Sequence, residues 1–90
     1  MRVDRFLFFI RLLKSRTQAQ GLIDEGHVRI DGTRVVKHSE EVRVGSVIAF
    51  PLHDRVRILR VLELPTRRGP SSEARACYEE LGVDEAKPAT

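Results

Sequence analysis

Six cations crowd two short windows of the chain: Arg11, Lys14 and Arg16 in one, Arg29, Arg34 and Lys37 in the other. Ser15, Thr17 and Gln20 stand among the first three as neutral hydrogen-bond donors. A guanidinium forks onto two oxygens of one phosphate and stacks on flat rings, and arginine outnumbers lysine here. The chemistry that such a row can do is the holding of a polyanion, with no bond made or broken. Any single arginine of the set reads as a solvated surface residue; the cluster is what points to nucleic acid.

Other chemistries find little support. His27, His38 and His53 are scattered without metal-ligand spacing, and Cys77, the only cysteine, can build neither a zinc site nor an internal disulfide. Cys77 reads as a small buried hydrophobe and, with disulfides excluded, a reducing cytoplasm is the expected setting. Glu40-Glu41 and Glu79-Glu80 are sequence neighbours that cannot converge on one substrate, and they read as solvated faces. No glycine pattern of a P-loop or dinucleotide site occurs. The expectation is a protein without catalytic residues, metal or cofactor.

The elements that must position the cations follow from local patterns. Val3, Phe6, Leu7, Ile10 and Leu13 recur at helical spacing, with Asp4 as cap or first-turn acid. Ser15 with Gln18 forms a capping box for a second helix carrying Ala19, Leu22 and Ile23, and Gly26 is placed to stop it. Gly21 inside that helix costs roughly 1 kcal/mol against Ala and is read as permitting close packing of the two helices. Val28-Arg29-Ile30 and Thr33-Arg34-Val35 alternate around Asp31-Gly32, a strong two-residue hairpin signal. Arg29 is then opposite Arg34, a destabilising pairing of like charges that an anion would relieve.

Beyond the hairpin, a turn at Gly45-Ser46 precedes a strand from Val47 to Phe50 that Pro51 should limit. His53-Asp54 turns the chain into a strand from Arg55 to Leu64, where a slip in alternation at Ile58/Leu59 predicts a bulge. Residues 66–70 read as a basic hinge. Ser71-Ser72 as cap, Ala74, Cys77, Tyr78 and Leu81 as stripe and Gly82 as stop predict a C-terminal helix. That helix, or else a strand of the core, should cover the second apolar pair of helix one, Phe8 and Leu12. The organisation expected is a body over residues 1–64, a hinge and helix over 65–83, and a disordered acidic tail over 84–90. Residues 1–68 hold 14 Lys/Arg against 8 Asp/Glu, and residues 69–90 hold 2 against 5, so the basic character belongs to the body. The apolar run Phe6 to Ile10, ended by Arg11, is too short for a membrane span or a secretory signal, and no membrane partner is expected.

The order Arg2-Val3-Asp4-Arg5-Phe6-Leu7, Lys14-Ser15-Arg16-Thr17-Gln18-Ala19-Gln20, Leu22-Ile23-Asp24-Glu25-Gly26-His27-Val28-Arg29-Ile30-Asp31-Gly32-Thr33-Arg34-Val35 and Val44-Gly45-Ser46-Val47-Ile48 resembles the S-four RNA-binding domain family. The continuation through Arg55 to Leu64 and Arg67-Arg68-Gly69-Pro70 resembles its small, stand-alone bacterial branch of ribosome-associated heat-shock proteins. The resemblance implies an α+β, αL-type fold, with two packed helices against a small antiparallel β-sheet, plus the short C-terminal helix. It also implies binding of structured RNA through Arg11, Lys14, Arg16, Thr17, Arg29 and Arg34. For that branch the implied partner is ribosomal RNA of the large subunit, in a heat-shock stress response that recycles stalled ribosomes. His27 stands where the family often has lysine, Gly21 where a longer residue is common, and Ser46 where Asp is usual. A monomer is expected. The alternatives are an RNA-binding accessory of a separate RNA-modifying enzyme, or a protein-interaction module presenting Phe8, Leu12 and Tyr78.

Overall fold

Helix α1, Val3–Phe9, begins at Arg2 as N-cap, so Asp4 lies in its first turn and does not cap it. The orphan N–H of Val3 is satisfied from outside, by the carbonyl of Glu40 at 2.8 Å. Val3, Phe6, Leu7, Ile10 and Leu13 are buried, as the periodicity predicts. The helix ends in Arg11, which takes a left-handed φ of 65° at the position where glycine is usual. A computed structural model of the chain describes residues 1–85.

Helix α2, Arg16–Asp24, is closed at both ends by its own sequence. The Ser15 hydroxyl accepts from the Gln18 N–H at 3.0 Å, and the Gln18 side chain accepts from the Lys14 N–H at 2.8 Å. At the other end Gly26 has φ 78°, with Gly26 N–H bonded to Ile23 and His27 N–H to Leu22, the paired bonds of a Schellman stop. Ala19 and Ile23 are buried against the core. Gly21, however, does not serve helix packing: a Cβ built there meets nothing within 4 Å.

Strands β1 (Arg29–Ile30), β2 (Thr33–Arg34), β3 (Val47–Leu52), β4 (Arg55–Val61) and β5 (Tyr78–Glu85) form one antiparallel sheet in the order β2-β1-β3-β4-β5. The β1–β2 register is Arg29 opposite Arg34 and Ile30 opposite Thr33, around Asp31 and Gly32 with φ 51° and 83°. Val28 and Val35 point into the core. Strand β3 runs through Pro51 to Leu52, two residues further than expected. The reason lies in the alternation. Val47 directs its N–H and C=O towards Asp31, so Ala49 and Pro51 direct theirs to the same side. There β1 has already ended, and the missing N–H of Pro51 breaks no ladder bond. His53 and Asp54, both at positive φ, make the β3–β4 turn.

The C-terminal segment departs most from expectation. Helix α3 spans only Ser71–Arg75, Pro70 is its N-cap, and no side chain caps it, so Ser71 and Ser72 do not play that part. Ala74 and Cys77 are buried, but Tyr78, Leu81 and Gly82 belong to β5, not to a helical stripe. Strand β5 pairs with β4 at seven positions, filling an edge that would otherwise leave a row of backbone groups unbonded. The predicted irregularity falls between Ile58 and Leu59. These face Gly82 and Glu80, so the extra residue is Leu81 on β5. Asp84 and Glu85, expected in a disordered tail, pair with Val56 and Arg55, and residues 86–90 of that tail lie outside the described residues. Glu80 grips Arg57 through both oxygens and Glu79 pairs with Arg60 at 3.0 Å, so this acidic pair is engaged.

Phe8 is covered from the hinge. The Arg68 guanidinium lies 4.6 Å from its ring centroid, and Arg68 Nε donates to the Phe8 carbonyl at 3.1 Å. Leu12 packs against the main core. Burial pushes the Cys77 thiol above its ordinary pKa, and the charges of Glu63 and Glu73 add to that, which keeps it protonated and unreactive. No helix among the described residues is long and apolar enough to cross a membrane.

Candidate nucleic-acid interface

Helix α2 is the piece that joins the two cationic windows. Its nine residues span about 14 Å. At the N-terminal end it carries Arg16, with Ser15, Thr17 and Lys14 around it; Thr17 and Lys14 are exposed. At the C-terminal end the hairpin is drawn against it. Arg34 lays Cδ and Nη1 over Gly26, 3.3 and 3.2 Å from where a Cβ would stand. The same end is tied to the loop after β2 by His38 Nε2 and Asp24 Oδ1 at 2.7 Å, which places exposed Lys37 beside it. Arg34 thus sits where the carbonyl end of the helix dipole favours a cation.

The facing arginines of the hairpin diverge. Arg29 Nη1 turns back to the Gly32 carbonyl at 3.3 Å while Arg34 leans towards Gly26. Their backbone register is as expected, yet the repulsion between them is partly relieved before any anion arrives. The turn itself is clamped to β3: Asp31 N–H donates to the Val47 carbonyl at 2.8 Å, and Asp31 Oδ1 accepts from Val47 N–H at 2.9 Å. Such a clamp fixes the height of Arg29 and Arg34 over the sheet.

Arg11 and Gln20 are each hydrogen-bonded to a group outside α2 and the hairpin. Arg11 donates through Nε to the Gly69 carbonyl, which holds its left-handed backbone and straps the hinge to the α1–α2 corner. Gln20 donates through Nε2 to Asp4 Oδ2 at 2.9 Å. Arg16 is not simply a solvent-side arginine: it is half-buried, with Nη2 3.6 Å from Asp4 Oδ2. Among the described residues Arg11, Lys14, Arg29, Arg34 and Lys37 have no carboxylate within ion-pair distance, whereas Arg2, Arg57, Arg60 and Arg67 each do.

Asp4 and Arg2 are the residues that the sequence pattern does not single out as part of the site. Asp4 is fully buried and accepts from Arg2 Nε at 3.1 Å, Arg2 Nη2 at 2.9 Å, the Arg5 N–H at 2.7 Å and Gln20. Burial alone would raise its pKa, but the hydrogen bonds from Gln20 and Arg2, the Arg2 charge and the Arg5 N–H outweigh it and hold the carboxyl below its ordinary value. The one signal in the sequence is a lone acid inside the apolar stripe Val3, Phe6, Leu7 and Ile10. Nothing in the arrangement offers a nucleophile beside a base, and no cluster of three potential metal ligands occurs among the described residues.

The S4 domain family model matches residues 1–48, just over half of the chain and the stretch that carries α1, α2 and the hairpin. The chain belongs to that family. Among curated proteins it is similar to the small ribosomal subunit protein uS4 of Limosilactobacillus reuteri, 36% identical over 69% of this chain and 30% of the relative. With uS4 of Oenococcus oeni it shares 40% identity over 80% of this chain and 36% of the relative. The chain therefore spans only about a quarter to a third of the length of these relatives. Among solved structures it is similar to heat shock protein 15 of Vibrio cholerae, described as trimeric. The TM-score is 0.81, the identity 28%, and the match covers 89% of this chain and 80% of that one.

Proposed function

We propose that this domain binds structured RNA, ribosomal RNA foremost, through α2 and the β1–β2 hairpin, and carries out no reaction itself. The observation that carries the reading is that Lys14, Arg29, Arg34 and Lys37, set at the two ends of one helix, have no carboxylate partner among the described residues, and that Arg16 between them meets only a carboxylate already filled by other donors. Phosphates of duplex RNA present themselves to such a row, while base edges in the deep, narrow groove do not. Lys14, Arg16 and Thr17 would hold phosphate at one end of α2, with Arg29, Arg34 and Lys37 at the other. Ser15 and Gln20 support the first group, and Arg11 contributes what its bond to Gly69 leaves free.

For the target we infer the large ribosomal subunit in a heat-shock or stalled-ribosome recycling role. The likeness to the Vibrio heat shock protein over most of both chains supports this. The uS4 relatives belong to the small subunit, which makes the choice of subunit the point to measure. Sedimentation of a cell lysate through a sucrose gradient, with the protein followed by blot, tests it. Migration with free large subunits is expected; migration with small subunits moves the target, and retention at the top with an enzyme favours the accessory reading. One chain holds every residue named, so the site needs only a monomer; light scattering decides between that state and the trimer described for the Vibrio protein.

A further inference from the structure

We propose that Asp4 is a positioning residue for this interface, a buried carboxylate that aims Arg16 at an RNA phosphate without consuming any of its donors. The inference rests on the RNA-binding reading and adds a residue that never touches RNA. A carboxylate has about four acceptor positions. In Asp4 they are filled before Arg16 arrives: Oδ1 takes Arg2 Nε and the Arg5 N–H, and Oδ2 takes Arg2 Nη2 and Gln20 Nε2.

Gln20 lies one turn after Arg16 on the same face of α2, so both approach Asp4 together. Arg16 remains at 3.6 Å, close enough for attraction between opposite charges but beyond a hydrogen bond. Its Nε is buried and has no hydrogen-bond partner. The guanidinium is thus oriented by charge, with its Nε–H enclosed by the protein and its Nη groups in no hydrogen bond among the described residues. An oxyanion arriving at the first turn of α2 meets a fork already in place.

Two simple accounts of Asp4 predict opposite signs. If the carboxylate were only a negative charge near a phosphate site, Asp4→Asn would tighten RNA binding. If it positions Arg16, the same change weakens binding, and only when Arg16 is present. The experiment is a double-mutant cycle of Asp4→Asn with Arg16→Ala, read by filter binding to total ribosomal RNA. Asp4→Asn is expected to weaken binding roughly tenfold in the parent, the scale of one charge-assisted bond, and less than about twofold in Arg16→Ala. Equal losses in both backgrounds, or tighter binding, overturn the proposal.

If Asp4→Asn does not fold, Gln20→Ala replaces it. That change opens one acceptor position on Oδ2, Arg16 closes onto it, and binding falls in an Arg16-dependent way; equal losses again overturn the idea. A second readout needs no RNA. The Arg16 Nε–H should give a resolved, exchange-protected NMR signal in the free parent and merge with exposed arginines in Asp4→Asn. A parent without that protected signal refutes the positioning. A parent that shows it but does not bind ribosomal RNA refutes the RNA reading, and leaves Arg16 positioned by Asp4.

Discussion

Replacing Asp4 by Asn should destabilise the fold by an amount that disappears in acid. The carboxylate is fully buried and held by two bonds from Arg2, one from Gln20 and one from Arg5. Hydrogen bonds to a charged group are worth about 1.5–3 kcal/mol each when fully shielded. The Arg2 side chain is 38% exposed and regains water when released, so a loss of about 2 kcal/mol at pH 7 is the reasonable scale. For a domain of this size that lowers Tm by about 8–16 °C. The folded carboxyl lies below its ordinary value, and the unfolded one titrates near about 3.9. Its contribution is therefore complete above roughly pH 5, begins to fall near pH 4 and is gone once the folded carboxyl is itself protonated. Circular-dichroism melts of both proteins from pH 7 down to about pH 2.5 give the gap directly. A gap of the same size at both ends of that range would show that shape, and not the ionised carboxylate, provides the stability.

The remaining expectations concern the helix, the hairpin and the last strand. Gly21→Ala should add up to about 1 kcal/mol, since the site is helical and open, and Gly21→Arg should also tighten RNA binding; urea titration and filter binding measure both, and a destabilised Gly21→Ala would mean that a neighbour does approach. Arg34→Glu would create a cross-strand pair with Arg29, but it sets an anion against the carbonyl end of α2. Stability should fall by about 0.5 kcal/mol and not rise. The same variant should lose RNA affinity and flatten the log–log salt slope by about 0.7–0.9 for each phosphate it no longer neutralises, and an unchanged slope would put the hairpin outside the interface. Truncation after Arg68 removes α3 and β5, and should abolish the cooperative melt and produce aggregation visible by light scattering; a soluble, cooperatively melting fragment would show that β4 tolerates an open edge.

What could be read in the sequence was local. The Asp31-Gly32 hairpin with its register, the Ser15 cap, the Gly26 stop and the α1 core stripe each depend on residues a few positions apart, and all are present. What escapes such a reading is set at long range. The eight residues of β5 carry apolar groups at spacings that also fit a helix, and only the vacant edge of β4 decides in favour of a strand. Asp4 gathers partners from as far as sixteen positions away, which no window around it displays. The hairpin rule puts Arg34 at its observed place in the ladder, yet the direction of its side chain depends on Gly26 across a corner of the fold.

The late position of β5 has a consequence for the life of the chain during synthesis. Strand β4 ends at Val61 and its partner ends at Glu85, 24 residues later. At roughly 5–20 residues per second this leaves the edge of β4 uncovered for about 1–5 s in every molecule made. That edge carries Val56, Ile58, Leu59 and Val61, the kind of segment that seeds strand addition between chains. Arg55, Arg57 and Arg60 interrupt it at short intervals. In the finished fold Arg57 and Arg60 answer Glu80 and Glu79; before β5 exists they stand as unneutralised charges that keep two nascent edges apart. The same side chains therefore guard the strand first and fasten its partner afterwards.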